Sequence, residues 1–202
     1  MSRMHDLTLP LRAEQVLDLQ LGDMVRLSGE ITVSIGLPTH KRLAESIDNG
    51  TPLPVDLHGG AFFHLSTYVN ETADGPEALY LNPSTSTRYN AWMPTLIRGL
   101  GVRLVGGKGG LDDASAAALR ECGCAYLSFP GGGLNLLSRA LRRVVAMHWT
   151  EYISQFRLLT LDVEQLGPAT VAIDARGNSL YAQLHEQAVA RMPDIVGKLG
   201  HR

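Results

Sequence analysis

Ala78-Leu79-Tyr80-Leu81 runs into Asn82-Pro83-Ser84-Thr85-Ser86-Thr87-Arg88. Val102-Arg103-Leu104-Val105 runs into Gly106-Gly107-Lys108-Gly109-Gly110. Ala125-Tyr126-Leu127-Ser128-Phe129 runs into Pro130-Gly131-Gly132-Gly133. Each time a short apolar run of strand length meets a loop of hydroxyl or glycine residues, and a helical pattern follows. After the first loop, Tyr89, Trp92, Met93, Leu96, Ile97 and Leu100 recur at helical spacing on one face. After the third, a helix is predicted from about Leu134 to Met147. Strands alternating with helices imply an α/β layer with its ligand loops at the carboxyl ends of the strands.

On the amino-terminal side the rhythm is strand and turn. Ala13 to Leu19 reads as a short helix. Gly22-Asp23 is a turn signal, and the residues from Met24 to Val33 alternate apolar and polar as a half-buried strand does. His40 to Asn49 reads as a helix, Ala61 to Tyr68 as a strand region, and Glu71 to Pro76 as a polar loop. On the carboxyl-terminal side two strands are predicted, Leu158–Val163 and Ala169–Asp174. A turn over Ala175-Arg176-Gly177-Asn178 and a polar helical tail from Gln183 follow. No fixed-period repeat or Pro/Gly/Ser-rich linker divides the chain, so residues 1–202 read as a single domain, with a strand-rich first half and an α/β second half.

Composition narrows the function classes. An apolar fraction of 45% and a charged fraction of 19% suit a packed domain rather than a disordered chain. The 18 basic and 20 acidic residues are interspersed, for a net charge of -2. No basic stripe marks a nucleic-acid surface and no polybasic tail a membrane surface. No apolar run reaches membrane-spanning length and the amino end has no signal core, so the expected location is cytoplasmic. Cys122 and Cys124 are the only thiols. They are too few for a disulfide scaffold or for a metal centre built by this chain alone, and they read as buried and inert.

The loops carry the candidate chemistry. Hydroxyls and backbone N–H groups at a helix start favour anions, and Arg88 can grip a carboxylate with its planar fork. The competing reading is plain capping by Ser84 to Thr87 with a solvated Arg88. Glycines around Lys108 allow close backbone approach to a ligand; the alternative is a flexible surface turn. Gly109 follows Lys108 where a Walker A loop requires Ser or Thr, so a nucleotide triphosphate is not expected. The Gly131–Gly133 run lacks the later glycine of a dinucleotide fingerprint, since Leu136 stands there, and a tight turn is the simpler reading.

Taken in order, these segments resemble the β subunit of the iron–sulfur hydro-lyases, the L-tartrate dehydratase and class I fumarase type. The resemblance runs from about Leu7 to Leu184. It includes Leu21-Gly22-Asp23-Met24-Val25-Arg26-Leu27-Ser28-Gly29, His40-Lys41-Arg42-Leu43 and Leu53-Pro54-Val55-Asp56-Leu57. It continues through the Asn82–Arg88 loop, Gly107-Lys108-Gly109, Gly131-Gly132-Gly133 and Asp174-Ala175-Arg176-Gly177-Asn178-Ser179-Leu180-Tyr181. The resemblance implies a swivelling β/β/α domain that adds or removes water on a hydroxy acid or dicarboxylate. It implies a 4Fe-4S cluster ligated by a partner α subunit rather than by this chain, and a hetero-oligomer with β–β contacts. It assigns proton abstraction to Ser84, with Lys108 beside it in the catalytic set, and substrate binding to Thr85, Arg88 and His40.

The chain also departs from the family pattern. Where the family has Arg-Asp-x-x-His, with the arginine on a substrate carboxylate, this sequence reads Gly36-Leu37-Pro38-Thr39-His40 after Ile35, one residue longer. The loop Gly becomes Asn82, and the Met and Asp after the arginine become Tyr89 and Asn90. Losing a bidentate clamp weakens carboxylate binding by a few kcal/mol unless Lys41 or Arg42 replaces it. A carboxylate-binding or regulatory paralogue without turnover is therefore the alternative, and an autonomous α/β enzyme is a more distant third.

Overall fold

In the computed structural model, which describes residues 2–199, the chain is a mixed α/β structure. The first half contains β1 (Met4–Thr8), α1 (Ala13–Leu17), β2 (Met24–Val33), α2 (Leu37–Asp48), β3 (Ala61–Phe63), β4 (Leu65–Ser66), β5 (Val69–Thr72), β6 (Gly75–Ala78) and β7 (Asn82–Pro83). A one-turn 3-10 helix (Ser86–Tyr89), α3 (Met93–Gly99), β8 (Leu104–Gly107), α4 (Asp113–Cys122), β9 (Ala125–Ser128) and α5 (Leu134–Ser138) follow. The chain ends with β10 (Leu141–His148), a second 3-10 turn (Ser154–Phe156), β11 (Leu158–Ile173) and α6 (Leu180–Leu199).

The main sheet has the order β1-β2-β3-β8-β9-β11-β10, and β11 also pairs with β2. That extra pairing closes β2, β3, β8, β9 and β11 into a ring. β2, β3, β8 and β9 run parallel, while β11 is antiparallel to both β9 and β2. Strand alternation sorts the side chains onto the two faces. Val25, Leu27, Ile31, Phe63, Leu104, Leu127 and Leu161 belong to one apolar cluster. Phe62, Val105, Tyr126 and Leu158 belong to a second, with Leu43 of α2, Met93, Leu96 and Ile97 of α3, and Leu119 of α4.

Several local expectations change. The stretch expected to be a helix from Leu134 to Met147 is one short helix followed by β10. Its apolar spacing fits either period, and the adjacent Val144-Val145 pair favours a strand with a long neighbour to join. Cross-strand contacts of Arg142 with Glu164 and of Arg143 with Asp162 fasten β10 to β11. The two strands expected at the end are one 16-residue strand. The polar loop at Glu71 to Pro76 is the tip of the β5–β6 hairpin, so Ala78–Leu81 is not a strand of the main sheet. The helix expected after Arg88 is interrupted: a 3-10 turn ends at Tyr89, and α3 starts anew with Pro94 in its first turn. The tail helix begins at Leu180, and none of its side chains is buried.

Candidate functional site

The parallel strands β3 and β8 deliver their carboxyl ends side by side. His64, one residue past β3, donates its backbone N–H to the Gly106 carbonyl (2.7 Å). The segment after β7 then crosses these ends. Ser84 N–H donates to the His64 carbonyl (2.8 Å), Lys108 N–H to the Ser84 carbonyl (2.9 Å), and Ser86 N–H to the Lys108 carbonyl (2.8 Å). Thr85 therefore lies opposite Lys108 in a parallel bridge. Only glycine fits at 107. A Cβ there would stand 2.9 Å from the Ser84 carbonyl oxygen and collide with Ser86 Oγ. The two loops singled out in the sequence are thus one structure, held together by their backbones.

The cleft over this junction has a volume of about 240 Å3. Ser66, Ser84 and Thr85 line it with hydroxyls, and Arg88 and Lys108 line it with positive charge. Its other lining, Ile35, Asn82 and Pro83, is uncharged. Among the described residues neither Arg88 nor Lys108 has a carboxylate partner, whereas Arg42, Arg98, Arg142 and Arg157 each do. Two such cations beside three hydroxyls give the cleft a chemistry complementary to an anion. A larger cleft of about 480 Å3 elsewhere is lined by Glu30, Asp56, Asp162 and His58 and has no cation, so it lacks that complementarity.

His40 is not part of this lining. Its ring is fully buried beneath the loops and stacks on Tyr89 at 4.0 Å with only 7° between the planes. Nδ1 lies 2.7 Å from the Gly36 carbonyl, and Nε2 has no partner. Burial pulls its pKa to about 4 against the opposing effect of the Gly36 bond, so the ring is neutral at pH 7. Lys41 and Arg42 do not replace the missing arginine either. Lys41 pairs with Glu45, and Arg42 pairs with Glu151 and lies 4.5 Å over the Trp149 ring.

Residues to which the sequence assigned no role in the site complete the support. His64 is buried next to His40, with ring centroids 5.2 Å apart, and its pKa is driven down by burial and then by His40. Its Nδ1 lies 2.8 Å from Ser86 Oγ, which accepts a hydrogen bond from Tyr126 Oη (2.9 Å). The signal for His64 is a lone imidazole in the apolar run Ala61-Phe62-Phe63-His64-Leu65. Tyr181, positioned after the Asp174–Asn178 turn, packs its ring against Gly110 and donates to Ser128 Oγ (3.0 Å). It buttresses the Lys108 loop from outside. The Pro130–Gly133 turn expected from the sequence is present, closed by Gly133 N–H on the Pro130 carbonyl (3.1 Å).

The thiols lie elsewhere. Cys124 is buried with its Sγ 2.8 Å from the Val102 carbonyl, and burial pushes its pKa up to about 12; burial also raises that of Cys122. Among the described residues no three His, Cys, Asp or Glu side chains are grouped to hold a metal ion. This donor set does not fit an iron–sulfur cluster, which takes thiolates from several cysteines. No helix among the described residues is long and apolar enough to cross a membrane.

Comparison with known proteins bears on the same segments. The family model described as fumarase C-terminus matches residues 2–184. L(+)-tartrate dehydratase subunit beta of Escherichia coli K12 is 31% identical over 193 residues, covering 96% of this chain and 94% of that protein. A putative L(+)-tartrate dehydratase subunit beta of Methanocaldococcus jannaschii is 26% identical over 188 residues, covering 93% of this chain and 96% of that protein. A putative fumarate hydratase class I of Geobacillus stearothermophilus is 28% identical over 191 residues, which span 94% of this chain but 36% of the longer protein.

Proposed function

The chain belongs to the fumarase C-terminus family, and on that premise we propose that it is the β subunit of a hydro-lyase of the tartrate dehydratase and fumarase type. The whole chain, residues 1–202, acts as one domain of the swivelling β/β/α kind. Its location is the cytoplasm, and it works only in a hetero-oligomer that includes β–β contacts and an α subunit. The observation that supports this reading is the cleft itself. Two cations with no carboxylate partner among the described residues and two loop hydroxyls line one cleft at the carboxyl ends of parallel strands.

The substrate is a small hydroxy acid or dicarboxylate. Arg88 and Thr85 bind a carboxylate, and Lys108 supplies a second positive charge. Ser84 removes the proton from the carbon next to that carboxylate. Such a proton is acidic only when the charge developing on the carboxylate is stabilised, which is the role of the paired cations. A serine hydroxyl is a weak base, and nearby positive charge favours its ionised form. A 4Fe-4S cluster would have to be held by the α subunit, and it would supply Lewis acidity toward a substrate hydroxyl. His40 does not meet substrate directly; it stands under the site, behind Tyr89.

The uncharged lining at Ile35 and Pro83 favours a second reading, a carboxylate-binding or regulatory paralogue without turnover. One experiment separates the two. The chain is co-purified anoxically with its α-type partner and offered a panel of hydroxy acids. A hydro-lyase consumes substrate, and the Ser84→Ala complex does not. A binding paralogue shows only a rise in melting temperature with ligand. A Ser84→Ala complex with full turnover removes Ser84 as the base.

A further inference from the structure

The backbone around Lys108 is tied on one side only. Its own N–H and carbonyl bond to Ser84 and Ser86. The two residues after it are glycines in the left-handed conformation, with φ +79° at Gly109 and +82° at Gly110. Glycine is the residue most free to leave such a conformation. Among the described residues neither Gly109 nor Gly110 makes a backbone–backbone hydrogen bond, yet Gly110 is buried. The Lys108 side chain is a flexible four-carbon stem, so its ammonium is aimed only as well as the backbone beneath it.

Tyr181 packs on Gly110. A Cβ at Gly110 would stand 2.7 Å from both Cδ2 and Cε2 of that ring, so the ring lies in contact with the glycine backbone. The phenol donates to Ser128 Oγ (3.0 Å), and Ser128 stands opposite Gly107 in the pairing of β8 with β9. Tyr181 therefore spans the loop, from Gly110 back to the strand ends beside Gly107. Its own place is set by the end of β11. The Asp174 carboxylate accepts hydrogen bonds from the N–H groups of Arg176 (2.9 Å) and Asn178 (3.0 Å) and from Asn178 Nδ2 (2.8 Å). Ser179 then bridges back to Ile173, and Tyr181 follows two residues later. The rings of Tyr126 and Tyr181 meet edge to face, with 6.3 Å between centroids, and Tyr126 donates to Ser86 Oγ. Tyr126 backs the Ser86 side of Lys108 as Tyr181 backs the glycine side.

We propose that Tyr181 is the positioning residue for Lys108: by covering Gly110 and tying the loop to β9, it holds the backbone that aims the ammonium into the cleft. Tyr181 is not part of the cleft lining and does not meet substrate. The Asp174–Tyr181 segment, which lies outside the cleft, thereby gains a part in the site. The inference rests on the reading of Lys108 as a cation of the substrate site.

The test is a double-mutant cycle on the chain assembled with its α-type partner, with the hydroxy acid consumed fastest in the panel as substrate. Tyr181→Ala removes ring and hydroxyl. Tyr181→Phe keeps the ring on Gly110, and with it the fold, and removes only the tie to Ser128. Each is made beside native Lys108, beside Lys108→Ala and beside Arg88→Ala. Beside native Lys108, Tyr181→Ala lowers kcat/KM about twentyfold and Tyr181→Phe about fivefold. Beside Arg88→Ala losses of similar size persist. Beside Lys108→Ala both fall below about twofold, because the residue through which Tyr181 acts is gone. Where a background leaves no measurable turnover, the dissociation constant of the same acid is compared instead, since a missing cation weakens binding without abolishing it. Equal losses beside Lys108 and beside Lys108→Ala show a merely structural role and overturn the inference. So does an unchanged kcat/KM for both Tyr181 variants beside native Lys108. A Lys108→Ala complex with native kinetics instead overturns the reading of Lys108 as a cation of the site.

Discussion

His40 and His64 make the base of the site sensitive to acid in a way that can be calculated. Both rings are fully buried, and both have an Nε2 without a partner. The His40 pKa is lowered from 6.5 in an unfolded chain to about 4 in the folded one. A histidine depressed in this direction stabilises the fold fully only above its unfolded pKa. That stability is lost as the pH falls from 6.5 toward 4, because the unfolded chain binds the proton first. The loss is complete only once the pH lies well below 4, where the folded ring is protonated too. The whole shift is worth about 3 kcal/mol, of which about 2 kcal/mol disappears between pH 7 and pH 5. His64 acts in the same direction. The buried carboxylate Asp23 does not blur this window. Although burial works to raise the Asp23 pKa, hydrogen bonds from Arg3, His5 and the Gln20 backbone hold it far below the usual carboxylate range, so Asp23 stays ionised. Urea denaturation at pH 7, 6 and 5 measures the effect. Stability falls by at least about 2 kcal/mol over that range, and a His40→Gln variant has a shallower pH slope than the native chain. Equal stability at pH 7 and pH 5 refutes the placement of two neutral imidazoles beneath the loops.

Three further outcomes follow from the same geometry. Arg88→Ala raises KM about tenfold or more and also lowers kcat, as steady-state kinetics of the assembled complex will record; unchanged kinetics remove Arg88 from the site. Gly107→Ala forces Ser84 and Ser86 away from Lys108, so activity falls by more than about tenfold while the ring of strands still folds; near-native kcat together with an unchanged far-UV spectrum contradicts the close packing. Ending the chain after residue 184 shifts the melting temperature by less than about 3 °C, because every described α6 residue beyond it is exposed while Leu180 and Tyr181, which pack on the core, are kept; loss of folding shows that the removed part of the helix supports the domain.

The strand-rich first half and the parallel strands β3, β8 and β9 were legible because Phe62-Phe63, Leu104-Val105 and Tyr126-Leu127 are unbroken apolar runs ended by polar or glycine residues. Sequence alone was less able to distinguish a helix from a strand at Leu141 to His148. There the apolar spacing suits both, and the outcome depends on β11, a neighbour distant in the chain. The Ser84 and Lys108 loops were legible as separate candidates, and Arg88 and Thr85 with them. Their joining by hydrogen bonds depends on backbone groups, which leave no mark on residue identity except Gly107. His40 drew attention as a polar residue in a motif. Its burial was not legible, because it follows from the packing of α2 over β3 and not from its immediate neighbours.

The charge pattern of the cleft bears on the proposal that a partner chain completes the site. Among the described residues Arg88 and Lys108 line one cleft that has no acidic side chain, which an isolated domain has no structural reason to maintain, since like charges repel and pairing them would be mildly favourable. A bound carboxylate removes that repulsion and gains charge-assisted hydrogen bonds. The uncharged lining at Ile35, Asn82 and Pro83 offers no such bond to a second carboxylate. A substrate with two anionic ends must therefore leave one end in water or give it to cations on the partner, while a substrate with one anionic end is fully served by Arg88 and Lys108. Kinetics on a pair of hydroxy acids differing only by replacement of the distal carboxylate with a methyl ester distinguish these cases. If this chain's lining alone governs the distal end, the ester is turned over with a KM within about threefold of the diacid. A KM for the ester raised by about a hundredfold places a cation of the α subunit on that end and moves control of specificity to the interface between the two chains.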